Sequence, residues 1–139
     1  MEEKLIDNKE LQEVVSIVEE IGKELRGSWK TNREFTKEEY AKWLNALQGC
    51  YMYLKPLYTK FSAIKRNNED AKYVSLLNDH KEGKFVSAVA ERVASDSVGK
   101  YRYIRDYLEG WVSGVESIIY TLRNHLRENV KDVQVTLND

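Results

Sequence analysis

Residues 40–61 read YAKWLNALQGCYMYLKPLYTKF, and their apolar side chains recur at alternating intervals of four and three residues. This stripe comprises Tyr40, Leu44, Leu47, Tyr51, Leu54, Tyr58 and Phe61. Residues 101–122 carry a second stripe with similar intervals, made of Tyr101, Ile104, Leu108, Trp111, Val115, Ile118 and Leu122. A mean interval of about 3.5 residues is typical of helices that pack along one another in a left-handed crossing. The stripes therefore predict an all-α helical bundle with two long helices and coiled-coil-like seams. Each stripe should pack against a helix of the same chain or of another copy.

The part of the chain before the first stripe predicts one further helix. Over residues 8–26, apolar side chains recur at intervals of three and four while glutamates occupy the other face, which indicates an acidic amphipathic helix. Gly27 is a typical residue at which such a helix ends. Trp29 and Phe35 then lie in the connection, where we expect both to fold back onto the core.

The first long helix has a clear start signal. Thr36 and Glu39 have the spacing of a capping box, in which each side chain accepts a hydrogen bond from the other residue's free backbone amide. We expect a helix over residues 37–66, kinked at Pro56 because proline lacks the amide hydrogen of the helical ladder. The polar run 67–70 is expected to end this helix.

Shorter helices are expected over residues 70–94, and a long C-terminal helix over residues 97–130 carries the second stripe. Beyond Leu122 the apolar positions shift by one residue to Leu126, which indicates a stutter in the seam. Residues 134–139 alternate between apolar and polar and are either frayed or a short strand. Together the segments predict a single helical domain over residues 1–139.

The composition is that of an ordinary globular domain. The 139 residues are 42% hydrophobic and 32% charged, and the net charge of −1 gives no general attraction to nucleic acid or membranes. Cys50 is the only cysteine, so we expect a small buried side chain and a reducing compartment. Because the sequence shows neither a signal peptide nor a long apolar run, we expect a cytoplasmic protein with no membrane partner.

The sequence does not indicate a catalytic or cofactor site. The strongest metal ligands, His80, His125 and Cys50, lie far apart along the chain, and none has a partner at ligand spacing. No glycine-rich phosphate loop occurs, and the serines are scattered at expected caps and turns. We therefore expect no enzyme activity, no metal site and no cofactor.

Residues 51–75 form a basic segment with interspersed tyrosines. They hold five basic and two acidic side chains, a local net charge of +3. Single-stranded nucleic acid is held by such combinations, because cations neutralise phosphates while aromatic rings stack on bases. The predicted DNA contacts are Lys60, Lys65, Arg66 and Lys72. The alternative is a solvated helix face, with Tyr58 and Phe61 in the core. A second basic set near the start of the last helix comprises Lys100, Arg102 and Arg105.

The order of these features resembles that of a known family. The motif YAKWLN at residues 40–45 precedes the basic stretch 60–66, and a long helix over residues 101–127 has Trp111 midway and a basic end. This order resembles the T-even phage recombination mediator family (UvsY-like proteins), which are small helical oligomers. The later part, residues 105–124, is also similar to small uncharacterised phage proteins. The family resemblance implies single-stranded DNA binding by Lys60, Lys65 and Arg66, ring assembly through the C-terminal helix, and loading of a recombinase.

Two functional hypotheses from different classes follow. The first is a non-enzymatic, phage-type recombination accessory protein that binds single-stranded DNA, helps to load a recombinase and forms a homo-oligomer through the second stripe. The alternative is a phage-encoded helical module that binds protein, either as an inhibitor of a host or defence protein or as an assembly adaptor. A near-neutral charge and abundant tyrosine and tryptophan fit this alternative equally well. If the protein is phage-encoded, the host cytoplasm is its expected location.

Overall fold

The computed structural model describes residues 8–80 and 83–138, and the side chains of this part up to residue 128. Within these ranges the chain is all-α, as the stripes predict, with four helices and no strand. The helices are α1 (Lys9–Thr31), α2 (Lys37–Asp79), α3 (Ser87–Ser97) and α4 (Gly99–Asn138). α2 packs against each of the other three helices. None of the helices in the described ranges carries an apolar stretch that could cross a lipid bilayer.

α1 is longer than the sequence pattern predicts. The side chain of Asn8 caps its start, accepting hydrogen bonds of 2.9 and 3.4 Å from amides of the first turn. The helix continues through Gly27 and ends at Asn32, which adopts a left-handed φ of 51°. The predicted end at residue 26 is therefore wrong, because one glycine costs a helix only about 1 kcal/mol and the left-handed cap forms later.

The two aromatic residues expected to fold onto the core behave differently. Phe35 is buried, as expected, with 8% of its surface exposed. Trp29 is 82% exposed, so the expectation is wrong for this residue. Because α1 does not end at Gly27, Trp29 lies in its last two turns rather than in a connection that could fold back.

α2 begins at the predicted cap and continues through Pro56. The Thr36 hydroxyl oxygen accepts a hydrogen bond of 3.2 Å from the Glu39 amide. Pro56 is exposed and the helix is unbroken on both sides of it. The kink at Pro56 stays a prediction.

α2 does not end at residue 66 but runs to Asp79. Local interactions carry the helix across the polar run. The Asn68 side-chain amide donates a 2.8 Å hydrogen bond to the Ile64 carbonyl, and Lys65 forms an ion pair with Glu69 at 2.7 Å. The predicted break at residues 67–70 is therefore wrong.

α2 and α4 form the largest interface and run antiparallel. At one end of the pair the ring of Tyr40 stacks on that of His125, and at the other Ser62 and Arg105 line the same cleft. The fully buried side chains between these ends are Leu47, Leu54, Leu108, Val115 and Leu122. Burying each such side chain stabilises the fold by about 1.5–3 kcal/mol. Each stripe therefore packs within the same chain.

The second stripe differs from its predicted phase at two positions. Trp111 and Ile118 are only half-buried, whereas the next residues, Val112 and Ile119, are 4% and 9% exposed. Apolar side chains occupy both positions of each pair, so spacing alone does not distinguish them. The larger ring of Trp111 lies at the edge of the interface, beside Tyr107.

This packing contradicts the assignment of the second stripe to oligomerisation. Four of its residues, Ile104, Leu108, Val115 and Leu122, are at most 2% exposed within a single chain. The other three, Tyr101, Trp111 and Ile118, pack against the same core. The physical reason is that α2 of the same chain supplies the helical partner that the stripe requires.

α1 packs antiparallel on the first half of α2. The Cys50 thiol lies 3.9 Å from the Val14 carbonyl oxygen, as a weak donor. Cys50 is 4% exposed, which confirms that it is a small buried side chain.

The segment expected to hold shorter helices contains the end of α2 and the single helix α3. Ala90 and Ala94 are buried on the inner face of α3. The ring of Phe85 packs edge-on against that of Tyr73 of α2, with the ring centroids 6.1 Å apart. The predicted boundaries at 70, 94 and 97 are therefore wrong. The chain turns at Val98, whose amide bonds to the end of α3, and α4 starts one residue later.

The end of the chain also differs from its prediction. Residues 134–138 continue α4, so the short strand is wrong, and Asp139 lies outside the described residues. Leu126 is half-buried, as the stutter predicts, whereas the side chains after residue 128 lie outside the described part.

Candidate nucleic-acid interface

The four predicted DNA contacts do not lie together. Lys65 and Arg66 line a cleft between α2 and α4, whereas Lys60 and Lys72 do not. Lys60 precedes Lys65 by five residues, which places it about 140° away around the helix axis. Lys72 is exposed and lies about 10 Å beyond Lys65 along α2. The structure therefore divides the predicted set into two cleft residues and two outlying cations.

A cleft of about 350 Å³ is the site at which basic residues converge. We call it the basic cleft, and its lining residues are Tyr58, Ser62, Lys65, Arg66, Arg105 and Glu109. The α2 residues share one face because they are spaced by three or four positions, and the two α4 residues are spaced by four. Antiparallel pairing of α2 with α4 brings the two faces together.

Two of the three cations in the basic cleft have a carboxylate partner on their own helix. Lys65 pairs with Glu69 at 2.7 Å and is 19% exposed, and Arg105 bonds to Asp106 at 2.7 and 3.0 Å. The hydrogen bond to Asp106 raises the pKa of the Arg105 guanidinium, against the opposing effect of its partial burial. Arg105 therefore stays positively charged throughout the range in which proteins fold.

Arg66 differs from these two cations. It is exposed and forms no ion pair with any residue that the structure describes. Its guanidinium is free to bind an anion bidentately, which is the geometry that phosphate favours. Arg66 is therefore the side chain of the basic cleft that is most available to a ligand.

Ser62 adds a neutral polar group to the basic cleft. Its hydroxyl oxygen is buried and makes no hydrogen bond to any described residue. A buried hydroxyl without a partner costs about 1–3 kcal/mol. Because this oxygen has almost no accessible surface, a ligand in the cleft would reach it only if the Ser62 side chain or its neighbours moved.

The aromatic side chains near the basic cleft are not free stacking platforms. The ammonium group of Lys55 lies 5.5 Å from the ring centroid of Tyr58, and Tyr58 is half-buried. Phe61 is 7% exposed and belongs to the core. The core interpretation is confirmed for Phe61, whereas Tyr58 is partly buried against the core and also lines the cleft.

Arg105 could be placed in the site only from the structure. The sequence groups it with Lys100 and Arg102, but the Arg102 guanidinium donates to the Ser95 carbonyl and hydroxyl and so ties the end of α3 to α4. Only the register of α2 against α4 shows that Arg105 faces Lys65 and Arg66. Glu109, one turn later, adds a negative charge that limits the affinity of the cleft for anions.

Side chains for other chemistry do not converge in the described residues. No three of their histidine, cysteine, aspartate or glutamate side chains form a group that could hold a metal ion. Burial raises the pKa of the Cys50 thiol, which disfavours the thiolate needed for nucleophilic attack.

Comparisons with known proteins give no family for this chain: no protein-family model, no curated protein and no solved structure matches it.

Proposed function

We propose that the protein binds single-stranded DNA, without catalysing a reaction on it, through the basic cleft between α2 and α4. The observation that carries this proposal is that Arg66 of α2 and Arg105 of α4 line one open cleft together with Lys65. Cations brought together from two helices contact a backbone at several phosphates.

The expected affinity is modest. Three cations that each neutralise one phosphate of a single strand give a slope of about −2 for log K against log salt. Glu109 lies in the same cleft and opposes the approach of phosphate. Binding should therefore be measurable at low ionic strength and weak at physiological salt.

A fluorescence anisotropy titration with a labelled single-stranded oligonucleotide at several salt concentrations tests this proposal. Arg66→Gln and Arg105→Gln should each reduce the salt slope by about 0.7, and Arg66→Glu should abolish binding. Lys60→Gln is the matched control, since it removes one exposed cation of the same helix from outside the cleft. Absence of binding at low salt, or an equal loss in the control, contradicts the proposal.

The role in recombination rests on the resemblance to UvsY-like proteins. In that role the DNA-bound protein would help to load a recombinase filament onto the strand. The measurement is the rate of recombinase filament formation with and without this protein. The Arg66→Glu variant, which we expect not to bind DNA, should then fail to increase this rate.

A second candidate function is protein binding, favoured by the outer face of α3. Val86, at the N-cap, and Val89 and Val93, within the helix, are 52%, 59% and 41% exposed. Apolar side chains exposed in a row on a helix are typical of a surface that docks a partner. A pull-down from nuclease-treated bacterial lysate tests it. The wild-type protein should retain a stoichiometric protein partner. The Val89→Lys variant should lose this partner, and the Arg66→Gln variant should keep it.

A further inference from the structure

A second recess lies between α2 and α4, closer to the middle of the bundle than the basic cleft. We call it the middle groove. Its volume is about 570 Å³, and its apolar lining comes from Tyr51, Met52, Ile119 and Tyr120. Met52 and Tyr120 are 76% and 70% exposed, although both are large and apolar. A surface of this kind is typical of a contact with another protein surface.

Two charged side chains of α4 lie at the rim of the middle groove. Glu116 and Arg123 both line it, and both are exposed. Neither forms an ion pair with any residue in the described part of the chain. Their separation of seven residues is two helical turns, about 10 Å, so they lie on the same side of α4 with Tyr120 between them.

We propose that a second copy of this chain docks at the middle groove, with the two copies of α4 antiparallel about a twofold axis near Tyr120. A twofold axis places residue i of one copy opposite residue j of the other, and j opposite i. An axis between residues 119 and 120 therefore places Glu116 of each copy opposite Arg123 of the other. The single unpaired acid and the single unpaired base of the rim then form two ion pairs. A parallel arrangement in the same register would oppose like charges.

The apolar part of the middle groove fits the same arrangement. Tyr120 lies next to the axis, so each tyrosine ring would pack against its counterpart and against Met52 of the partner subunit. The neighbouring α4 side chains toward solvent, Ser113, Ser117 and Thr121, are small and would let the two helices approach closely. Exposed tyrosine surrounded by smaller residues is typical of the centre of an interface.

This interface differs from the one that the sequence predicts, and it does not depend on the proposed DNA binding. It uses the outer flank of α4 rather than the stripe that is buried against α2. Arg105 precedes Glu116 by eleven residues, about 16 Å along the helix, so the two copies of α4 must cross at an angle rather than run side by side to leave the basic cleft open. A dimer would carry two such clefts, which would strengthen a weak contact with one strand by avidity.

The test is the molar mass of the full chain in solution without DNA, measured by sedimentation equilibrium over a range of protein concentrations. The wild type should reach the mass of a dimer. Glu116→Arg and Arg123→Glu each oppose like charges twice, and each should raise the dimer dissociation constant by roughly ten-fold or more. The double variant Glu116→Arg with Arg123→Glu restores both ion pairs and should recover the wild-type constant. Arg92→Glu, on α3, is the matched control and should change nothing.

Several outcomes overturn the proposal. They are a monomer at every concentration, a mass above that of a dimer, single variants that associate like the wild type, and a double variant that stays as weak as the single ones. Circular dichroism checks that the variants fold, as expected for exposed residues that form no ion pair with the described part of the chain. Tyr120→Glu provides a second probe of the same surface and should also prevent association. Loss of DNA binding with an intact dimer would reject only the proposed function.

Discussion

The imidazole ring of His125 stacks on the ring of Tyr40, with centroids 5.8 Å apart and planes 9° from parallel. This contact joins the beginning of α2 to the later part of α4. It marks the antiparallel register of the two helices, and the same register brings Arg105 to Lys65 and Arg66 at the other end of the pair. Both proposed surfaces therefore depend on this one helix pairing.

The seam between α2 and α4 should supply a large share of the stability. Leu108 and Leu54 are fully buried in it, so Leu108→Ala or Leu54→Ala should lower the free energy of unfolding by about 3 kcal/mol. Tyr103→Ala, at a position on α4 that is 65% exposed, should change it by less than about 0.5 kcal/mol. Urea unfolding followed by circular dichroism measures both effects. Similar losses in the free energy of unfolding at the buried and exposed positions would contradict the packing of α2 against α4.

The reactivity of Cys50 should report the docking of α1. The thiol is 4% exposed and faces the Val14 carbonyl, so a thiol reagent reaches it only when α1 separates from α2. Val15→Ala weakens this docking, and a loss of about 1.4 kcal/mol would speed labelling about ten-fold. Val86→Ala, at the exposed N-cap of α3, is the control and should leave the rate unchanged. Rapid labelling of the folded wild-type protein would be inconsistent with the position of α1.

The protein should become less stable as the pH rises into the alkaline range. Burial raises the pKa of Cys50, Tyr40 and Tyr53, and nearby glutamates raise those of the two tyrosines further. Because the folded state keeps these protons to higher pH than the unfolded state, the stabilisation is complete below the ordinary thiol pKa. It is lost as the pH rises above about 8.5 and then past about 10.

Denaturant unfolding at pH 7, 9 and 10.5 measures this loss. Tyr40→Phe and Tyr53→Phe remove two of the groups and should flatten the decline above pH 9.5. Stability that rises over this range would show that the rings and the thiol are not buried as described.

Pro56 offers a simple route to a more stable protein. The residue is exposed inside α2, so its substitution removes no core packing. Pro56→Ala restores the missing backbone hydrogen bond and should raise the free energy of unfolding by about 1–2 kcal/mol, after allowing for the stiffer unfolded chain of the wild type. Gly49→Ala, where an added Cβ meets no atom within 4 Å, sets the scale with an expected gain of about 0.5–1 kcal/mol. Thermal unfolding compares the two, and a destabilised Pro56→Ala would show that the proline has a structural role.

The sequence pattern predicts the fold class well because the two stripes are long and regular. It does not tell whether the partner helix belongs to the same chain, since the spacing is identical in both cases. It also does not choose between Trp111 and Val112, because both are apolar. The polar run 67–70 suggests a break, yet Asn68 bonds to the preceding turn and the helix continues. In each case the outcome depends on contacts in the folded chain, which the spacing of residues in the sequence does not reveal.

The candidate site was only partly accessible from sequence for a related reason. Lys65 and Arg66 stand out in a basic segment, but Lys60 belongs to the same segment and lies outside the cleft. Arg105 comes from a different helix, and its place in the site depends on the register of α2 against α4. The buried hydroxyl of Ser62 carries no sequence signal, because only burial distinguishes it from the other serines.

The pairing of α2 with α4 inside one chain is tested most directly by an isotope-filtered nuclear Overhauser experiment. A sample that mixes labelled and unlabelled chains separates contacts within a chain from contacts between copies. We expect an intrachain cross-peak between the ring protons of Tyr40 and His125, whose centroids lie 5.8 Å apart. A cross-peak seen only between differently labelled chains, or none between these two rings, would contradict the helix pairing and with it both proposed surfaces.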